Sequence, residues 1–424
     1  MSIRKKNSQQ LNNQQNPIRV WWWSHTWRAL HGMGMPKKGR FGLALFSLQW
    51  MQAFADWHVG PAASWCDLAQ QLSRNGSNGS NVSCKKRQLV HGQINMSICL
   101  HPRGDYVSDQ TRKHGLWLDC VEILSLWWSS QAEAETKTRT FQSHMFLDIG
   151  ANLGLCSFTI LASDPEATVT MFEPVVHNQK QIAESLCRNP GWARRAALFL
   201  GALSSERASS PLVGTAENFG VSRLGSPDTW ASNRMKFIDL GVVETHRLDD
   251  IWSGLGGARA TKIDVEGAEY RILLGAQRLL HSGAMPLIHF EYSPAMMQVT
   301  GSQPVQLLQL LHDLEYDFYW CATDFLEQTF TDCGLFSNSV PLDDQDLSIL
   351  AHCGGLQVQE NFIAIQRSSS FRNRGVIQDY CSECFLPKFL TLHMCCQLRA
   401  SVDHFVWQPT WFQTCCLTTA CGST

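Results

Sequence analysis

From His144 onward, short apolar runs alternate with longer segments in which apolar residues return every three to four positions. The first pattern predicts strands and the second helices, and their regular alternation predicts a parallel sheet with helices on both faces. The runs are Met145–Ile149, Val169–Glu173, Ala197–Gly201, Thr261–Val265, Leu287–Tyr292, Phe318–Cys321 and Phe362–Ile365. Ahead of them, residues 115–129, GLWLDCVEILSLWWS, carry a helical period and are expected to cover one edge of the sheet. Between Ser204 and Asp239 no period is strong and Ser, Gly, Asn and Pro are frequent, so a long functional loop over the sheet edge is expected there.

These patterns divide the chain into four parts. Residues 1–72 form an N-terminal region whose first 19 residues, rich in Gln and Asn, bury too little apolar area to order. Residues 73–114 begin with the linker-like SRNGSNGSNVS and lead into the domain at 115–367. Residues 368–424 form a Cys-rich tail without a clear period, expected to be disordered.

The apolar run Phe41–Ala55, behind Lys37, Lys38 and Arg40, is shorter than the roughly 20 residues of a membrane helix. Its layout suits a secretory signal or anchor, and N-x-Ser sequons follow at Asn75, Asn78, Asn81 and Asn95. A cytoplasmic chain with a buried apolar helix is the other reading, and the sequence leaves both open. Any membrane association would run through 41–55.

The 35 Lys and Arg nearly balance the 37 Asp and Glu. Such a chain lacks the field that gathers nucleic acid or anionic membrane, which points to a small-molecule or neutral partner. Cys156, Cys187, Cys321, Cys333 and Cys353 have no regular spacing within the domain and read as buried free thiols. In the tail, Cys381 and Cys384 with His393, Cys395 and Cys396 supply one pair at zinc-ligand spacing and no second. No metal is expected.

The chemistry concentrates at HMFLDIGANLGL, residues 144–155, where a strand ends in an acid and runs into a Gly-rich turn opening a helix. Gly150 and Gly154 permit a tight turn and close backbone approach to a ligand. A dinucleotide fold would carry a second glycine where Asn152 stands, and a pyrophosphate would be crowded there. S-adenosylmethionine has no phosphate and tolerates Asn152; Asp148 is placed to accept from its ammonium, and Glu173, about 20 residues on, from its ribose hydroxyls.

The successive motifs FLDIGANLG, FEP, TKIDVEGAEYRILLGA and IHFEY, with VETHRLDDIW before the third and NFIAIQR at the close, resemble the FkbM family of methyltransferases over about residues 140–367. That resemblance implies a seven-stranded class I methyltransferase fold, Rossmann-like and mostly parallel, using S-adenosylmethionine to methylate a hydroxyl of a sugar or natural product. It places Asp148, Gly150, Asn152, Gly154 and Glu173 around the cofactor, and Asp264 and Glu266 at the mouth of the fourth strand.

Acids at the carboxyl end of a central strand lie where open α/β sheets bind ligands. Asp264 there would otherwise be an expensive buried charge, whereas Glu269, opening the next helix, suits the helix dipole. Methyl transfer to a hydroxyl calls for alignment and a general base, for which Asp264, Glu291 and His246 are the candidates; His289 reads as a core histidine. Asp264, Glu266 and Glu291 have the oxygen chemistry of a Mg²⁺ site, but acids are equally expected in a metal-free cleft. Asn218, Phe219 and Arg223 are the residues of the long loop expected to shape an acceptor pocket. Two other functions compete: a non-catalytic module that keeps the fold, and an NAD-dependent oxidoreductase, which Asn152 and the missing third glycine disfavour.

Overall fold

The computed structural model describes residues 56–75, 83–89, 94–114, 117, 120, most of 123–130, 144–215, 218–226, 237–254, 256–319 and 360–369. All belong to the second of two units into which the chain divides, Ala55–Thr424. The run 41–55, the Trp21–Trp23 cluster and the Cys-rich tail lie outside the described residues. No helix among the described residues is long and apolar enough to cross a membrane.

The fold is mixed α/β. Its strands are β1 (Trp57–Val59), β2 (Ser83–Leu89), β3 (Ile94–Leu100), β4 (Met145–Ile149), β5 (Thr168–Phe172), β6 (Ala196–Phe199), β7 (Ala202–Leu203), β8 (Ala208–Thr215), β9 (Arg223–Leu224), β10 (Phe237–His246), β11 (Ala260–Ile263), β12 (Leu287–Tyr292), β13 (Tyr316–Tyr319) and β14 (Glu360–Gln366). The helices are α1 (Ala62–Asn75), α2 (Tyr106–His114), α3 (Leu155–Ser163), α4 (Val176–Arg188), α5 (Pro190–Ala193), α6 (Leu248–Ile251), α7 (Glu269–Leu274), α8 (Gln277–His281), α9 (Pro294–Val299) and α10 (Pro304–Asp313). Described residues of 120–130 are helical as well, as their period predicts.

The main sheet runs β1-β6-β5-β4-β11-β12-β14-β13. Strands β6, β5, β4, β11 and β12 are parallel; β1, at one edge, and β14 are antiparallel to their neighbours. The expected seven strands are thus eight, because Trp57–Val59 adds an edge strand from a segment with no strand pattern of its own.

Side-chain alternation explains the two cores. On β4, Phe146 faces one core with Val169, Met171, Ala260, Leu287 and Ile363, while Leu147 and Ile149 face the other with Ile263, Ile288, Phe290 and Phe362. Leu155, Phe158 and Leu161 of α3 and Ile182 and Leu186 of α4 close the first face. Ile272, Leu279, Leu307 and Leu311 of α7, α8 and α10 close the second. The helices therefore cover both faces, as the alternating pattern requires.

Two expectations change here. The stretch Ser204–Asp239 is not a loop throughout: β8 and β9 lie within it and β10 begins inside it, forming a second sheet in the order β7-β10-β8-β9. Its outer residues are polar and exposed, and Pro211 interrupts the run, which hides the strand in the sequence. The segment 73–114 holds more than a linker: β2 and β3 pair as a hairpin, and Val107 of α2 enters the first core.

The first core also includes Trp65, Leu68 and Ala69 of α1, and the Trp65 indole donates to the carbonyl of Ala193 at 3.0 Å. Cys66 is disulfide-bonded to Cys187, and Cys120 to Cys156. Cys156 and Cys187 are therefore not free thiols; their partners lie 36 and 121 residues earlier in the chain, ahead of the first strand of the pattern, and so the pairs escaped a spacing argument.

Candidate active site

Strand order reverses between β4 and β11, with β5 and β6 continuing to one side and β12 to the other. Ligands of open α/β sheets bind at such a reversal, beyond the carboxyl ends of the strands. The residues leaving those two strands are the Gly150 turn and the Asp264 loop.

The turn is fastened on both sides. Gly150 and Ala151 donate their amides to the carbonyl of Phe172, at 3.0 and 3.1 Å. Gly150 has φ 79°, and a Cβ placed on it would lie 1.8 Å from the Asp264 carbonyl oxygen. The close approach that glycine permits here is thus first to the neighbouring strand of the chain itself. Asn152 has φ 52°, a left-handed conformation that Asn adopts more readily than most residues. Gly154, at φ 73°, lets the turn close on Phe158 and Ile182.

Glu173 follows β5 and is 3% exposed. Its Oε2 accepts the Asn152 amide at 2.7 Å, and its Oε1 accepts from the Val175 amide at 2.9 Å and from Asn178 at 3.3 Å. Burial pushes its carboxyl up to about 7. A carboxylate has about four acceptor positions and three are in use, which leaves capacity for a ligand hydroxyl.

Asp148 is fully buried. Its Oδ2 accepts from Ser157 at 2.7 Å and its Oδ1 lies 3.8 Å from the Lys262 ammonium. On the sequence, Asp148 is expected to accept from a ligand ammonium directly or through water; here its Oδ2 is engaged by Ser157, and its Oδ1 makes no hydrogen bond among the described residues. Burial raises the Asp148 carboxyl, and Lys262 opposes that shift.

Lys262 and Asp264 lie two positions apart at the end of β11, on one face of the sheet. Lys262 donates to the Gly150 carbonyl at 3.0 Å and sits 3.1 Å from Asp264 Oδ2. With its side chain 35% exposed, Asp264 is the one acid of the switch point open to an incoming molecule among those described. Asp148 and His289 flank Lys262 in register, so His289 and Glu291 of β12 share this face.

Beyond Asp264, Glu266 has φ 58° and accepts from Arg223 at 2.9 Å, a buried pair that ties β9 to the loop. Burial raises the Glu266 carboxyl, with Arg223 the main opposing influence. Glu269 does more than meet a helix dipole: its Oε1 accepts the amides of Val265 and Gly267, both at 3.1 Å, so the side chain closes the turn. It is fully buried, and burial pushes it to about 7.

The remaining loop residues gather at the Glu173 side of the turn. Phe219 stacks on His177 with ring centroids 4.9 Å apart and donates its amide to Asp105 at 3.1 Å. Asn218 accepts the Gly220 amide at 2.9 Å, which shapes that turn. Asn178 links Glu173 to His101, whose ring nitrogen is 2.7 Å from the Asn178 oxygen.

His246 is not brought to this group. It ends β10 beside β7, 3.6 Å from Asp56 and edge-on to Phe199, in the layer of the opposite core. The motif that contains it leads into the site in sequence, but its strand belongs to the second sheet. It does not join the carboxylates at the strand reversal. Sequence reasoning missed Lys262, Asn178 and Asp105; only Lys262 carried a signal, its spacing from Asp264.

Residues 148–318 match the family model described as the methyltransferase FkbM domain. That stretch of the chain is similar to FkbM methyltransferase domains. The match begins at Asp148 and ends in β13, so it contains the turn, the Glu173 corner and the Asp264 loop. The crystal structure of methyltransferase FkbM from Methylobacillus flagellatus KT is 15% identical, with 54% of this chain and 45% of that chain covered at a TM-score of 0.31. The chain therefore spans under half the length of that protein. No curated protein matches it. Among the described residues, no three His, Cys, Asp or Glu side chains are grouped as metal ligands.

Proposed function

We propose that the FkbM-like domain is an S-adenosylmethionine-dependent O-methyltransferase acting on a hydroxyl of a sugar or another small molecule. The observation that carries this reading is the joined pair of Asn152 and Glu173, a glycine-flanked turn at the strand reversal bonded to the acid that ends the next strand. Seven of the eight strands form a β6-β5-β4-β11-β12-β14-β13 sheet with one antiparallel member, which agrees with a class I methyltransferase fold. A turn built around Asn152 rather than a second glycine favours a cofactor without a pyrophosphate over NAD.

Bound S-adenosylmethionine supplies an electrophilic methyl group on sulfonium. Glu173 is the residue to hold its ribose, through the acceptor capacity left by Asn152, Val175 and Asn178. Asp264, the accessible carboxylate at the switch point, is the residue to accept the proton of the acceptor hydroxyl. Glu291, 8% exposed on the neighbouring strand of the same sheet face, is the residue to orient the acceptor beside Asp264.

The test is calorimetric titration of the full chain with S-adenosylmethionine, S-adenosylhomocysteine and NAD. Binding of the two sulfur ligands, lost in Glu173→Ala, supports the reading. A folded chain that binds neither, or binds only NAD, overturns it.

A further inference from the structure

The switch point holds an unusual charge arrangement. Asp148 from β4, Glu173 after β5, Asp264 and Glu266 after β11, Glu269 from α7 and Glu291 from β12 converge there, and all but Asp264 are at most 9% exposed. Two basic side chains meet them: Arg223, hydrogen-bonded to Glu266, and Lys262. His289 lies beside Lys262 in register.

Lys262 makes the central contacts. Its side chain is 7% exposed, its ammonium donates to the Gly150 carbonyl, and Asp264 Oδ2 and Asp148 Oδ1 lie 3.1 and 3.8 Å away. An ammonium buried this deeply is retained only where carboxylates compensate it, and its partners here belong to both sides of the strand reversal.

We infer that Lys262 is the positioning residue of the site, clamping the carbonyl of the cofactor turn at Gly150 to the Asp264 carboxylate so that turn and base move as one unit. The assignment rests on the cofactor reading above. Three further relationships support it. The Gly150 backbone packs directly on the Asp264 carbonyl, where a Cβ would lie 1.8 Å away. The Asp264 amide donates to Ile149 at 3.1 Å, so the clamp closes a ring that begins in the backbone. The Lys262 charge also opposes the upward push of burial on Asp148, Glu173 and Glu266 together.

The experiment uses the full chain as wild type, Lys262→Gln and Lys262→Arg. Calorimetric titration with S-adenosylhomocysteine is carried out from about pH 5.5 to 8.5, with thermal melts to establish folding and amide exchange of residues 150–155 as a ligand-free readout. Lys262→Gln is expected to bind about 10-fold more weakly or worse, the effect of losing one charge-assisted hydrogen bond. Its acid-side loss of affinity moves to higher pH and the turn amides exchange faster. Lys262→Arg keeps the wild-type pH midpoint and recovers affinity to within a few-fold.

A folded Lys262→Gln with wild-type affinity and an unchanged pH midpoint overturns the clamp. If Lys262→Gln does not fold, Lys262→Arg decides: affinity within a few-fold of wild type with the midpoint kept supports the clamp, and a loss of about 10-fold or more with a shifted midpoint overturns it. If the wild type binds no S-adenosylhomocysteine, the cofactor reading falls by itself. Unchanged exchange in Lys262→Gln then overturns the clamp, and faster exchange at 150–155 upholds it.

Discussion

The backbone amide of Asn152 donates to Glu173 Oε2 at 2.7 Å, joining the turn after β4 to the residue after β5. Removing that acceptor strands several donors at once. Glu173→Ala leaves the amides of Asn152 and Val175 and the Asn178 side chain without their partner in a buried corner, at about 1–3 kcal/mol for an unsatisfied group. Glu173→Gln keeps an oxygen acceptor and is expected to be distinctly milder. Denaturant unfolding of both variants checks this, and equal losses would sink it.

Burial holds Glu173 and Glu269 up at about 7, above the ordinary 4.5. An acid raised in the folded state contributes stability that is fully present below about 4.5 and is lost as pH rises through about 7. The domain is therefore expected to melt at a higher temperature near pH 5 than near pH 7.5 as far as these two groups act. Cofactor affinity, which under the proposed function uses the Glu173 carboxylate as acceptor, is expected to rise over the same interval. Melts and calorimetry at the two pH values read both slopes, and Glu173→Gln flattens the second.

Gly150→Ala meets the Asp264 carbonyl at 1.8 Å and a φ of 79°, whereas Gly104→Ala, at φ 102°, meets nothing within 4 Å. The first is expected to cost about 3 kcal/mol or more, combining overpacking with backbone strain, and the second only the strain of about 1–2 kcal/mol. Chemical unfolding of the pair separates contact from conformation. Similar losses would show that the approach to Asp264 does not matter.

Arg223→Met leaves Glu266 buried without its hydrogen-bonded cation, and breaking a buried pair from one side costs about 3–5 kcal/mol. The double variant Arg223→Met with Glu266→Gln removes both charges and is expected to recover much of that loss. A double-mutant cycle measures the coupling, and a coupling near zero would contradict the buried pairing.

What the sequence disclosed followed from burial. Strands Met145–Ile149 and Leu287–Tyr292 lie at their expected bounds because they sit inside the sheet with apolar neighbours on both faces. Trp57–Val59 was invisible because three residues at an edge carry no period, and its place depends on a distant partner, β6. Within Ser204–Asp239, β8 reads as loop because its outer side faces water and Pro211 interrupts it. Within the site, the glycine turn, Glu173 and Asp264 were legible as motif positions. That Asp148 turns inward to Ser157 and Lys262, and that His246 ends on another sheet, depends on tertiary register that no local spacing encodes.

Two of the disulfides carry a consequence for the chain as a thread. Cys66 is covalently joined to a position 121 residues later and Cys120 to one 36 residues later. A single proteolytic cut anywhere between Cys66 and Cys120 would leave both fragments in one molecule, separable only under reduction. Helix α1 thus cannot be shed by one nick while Cys66 stays oxidised. Such cross-links persist in oxidising surroundings, so the place where this protein matures decides whether helix α1 is a fixture or a detachable strap.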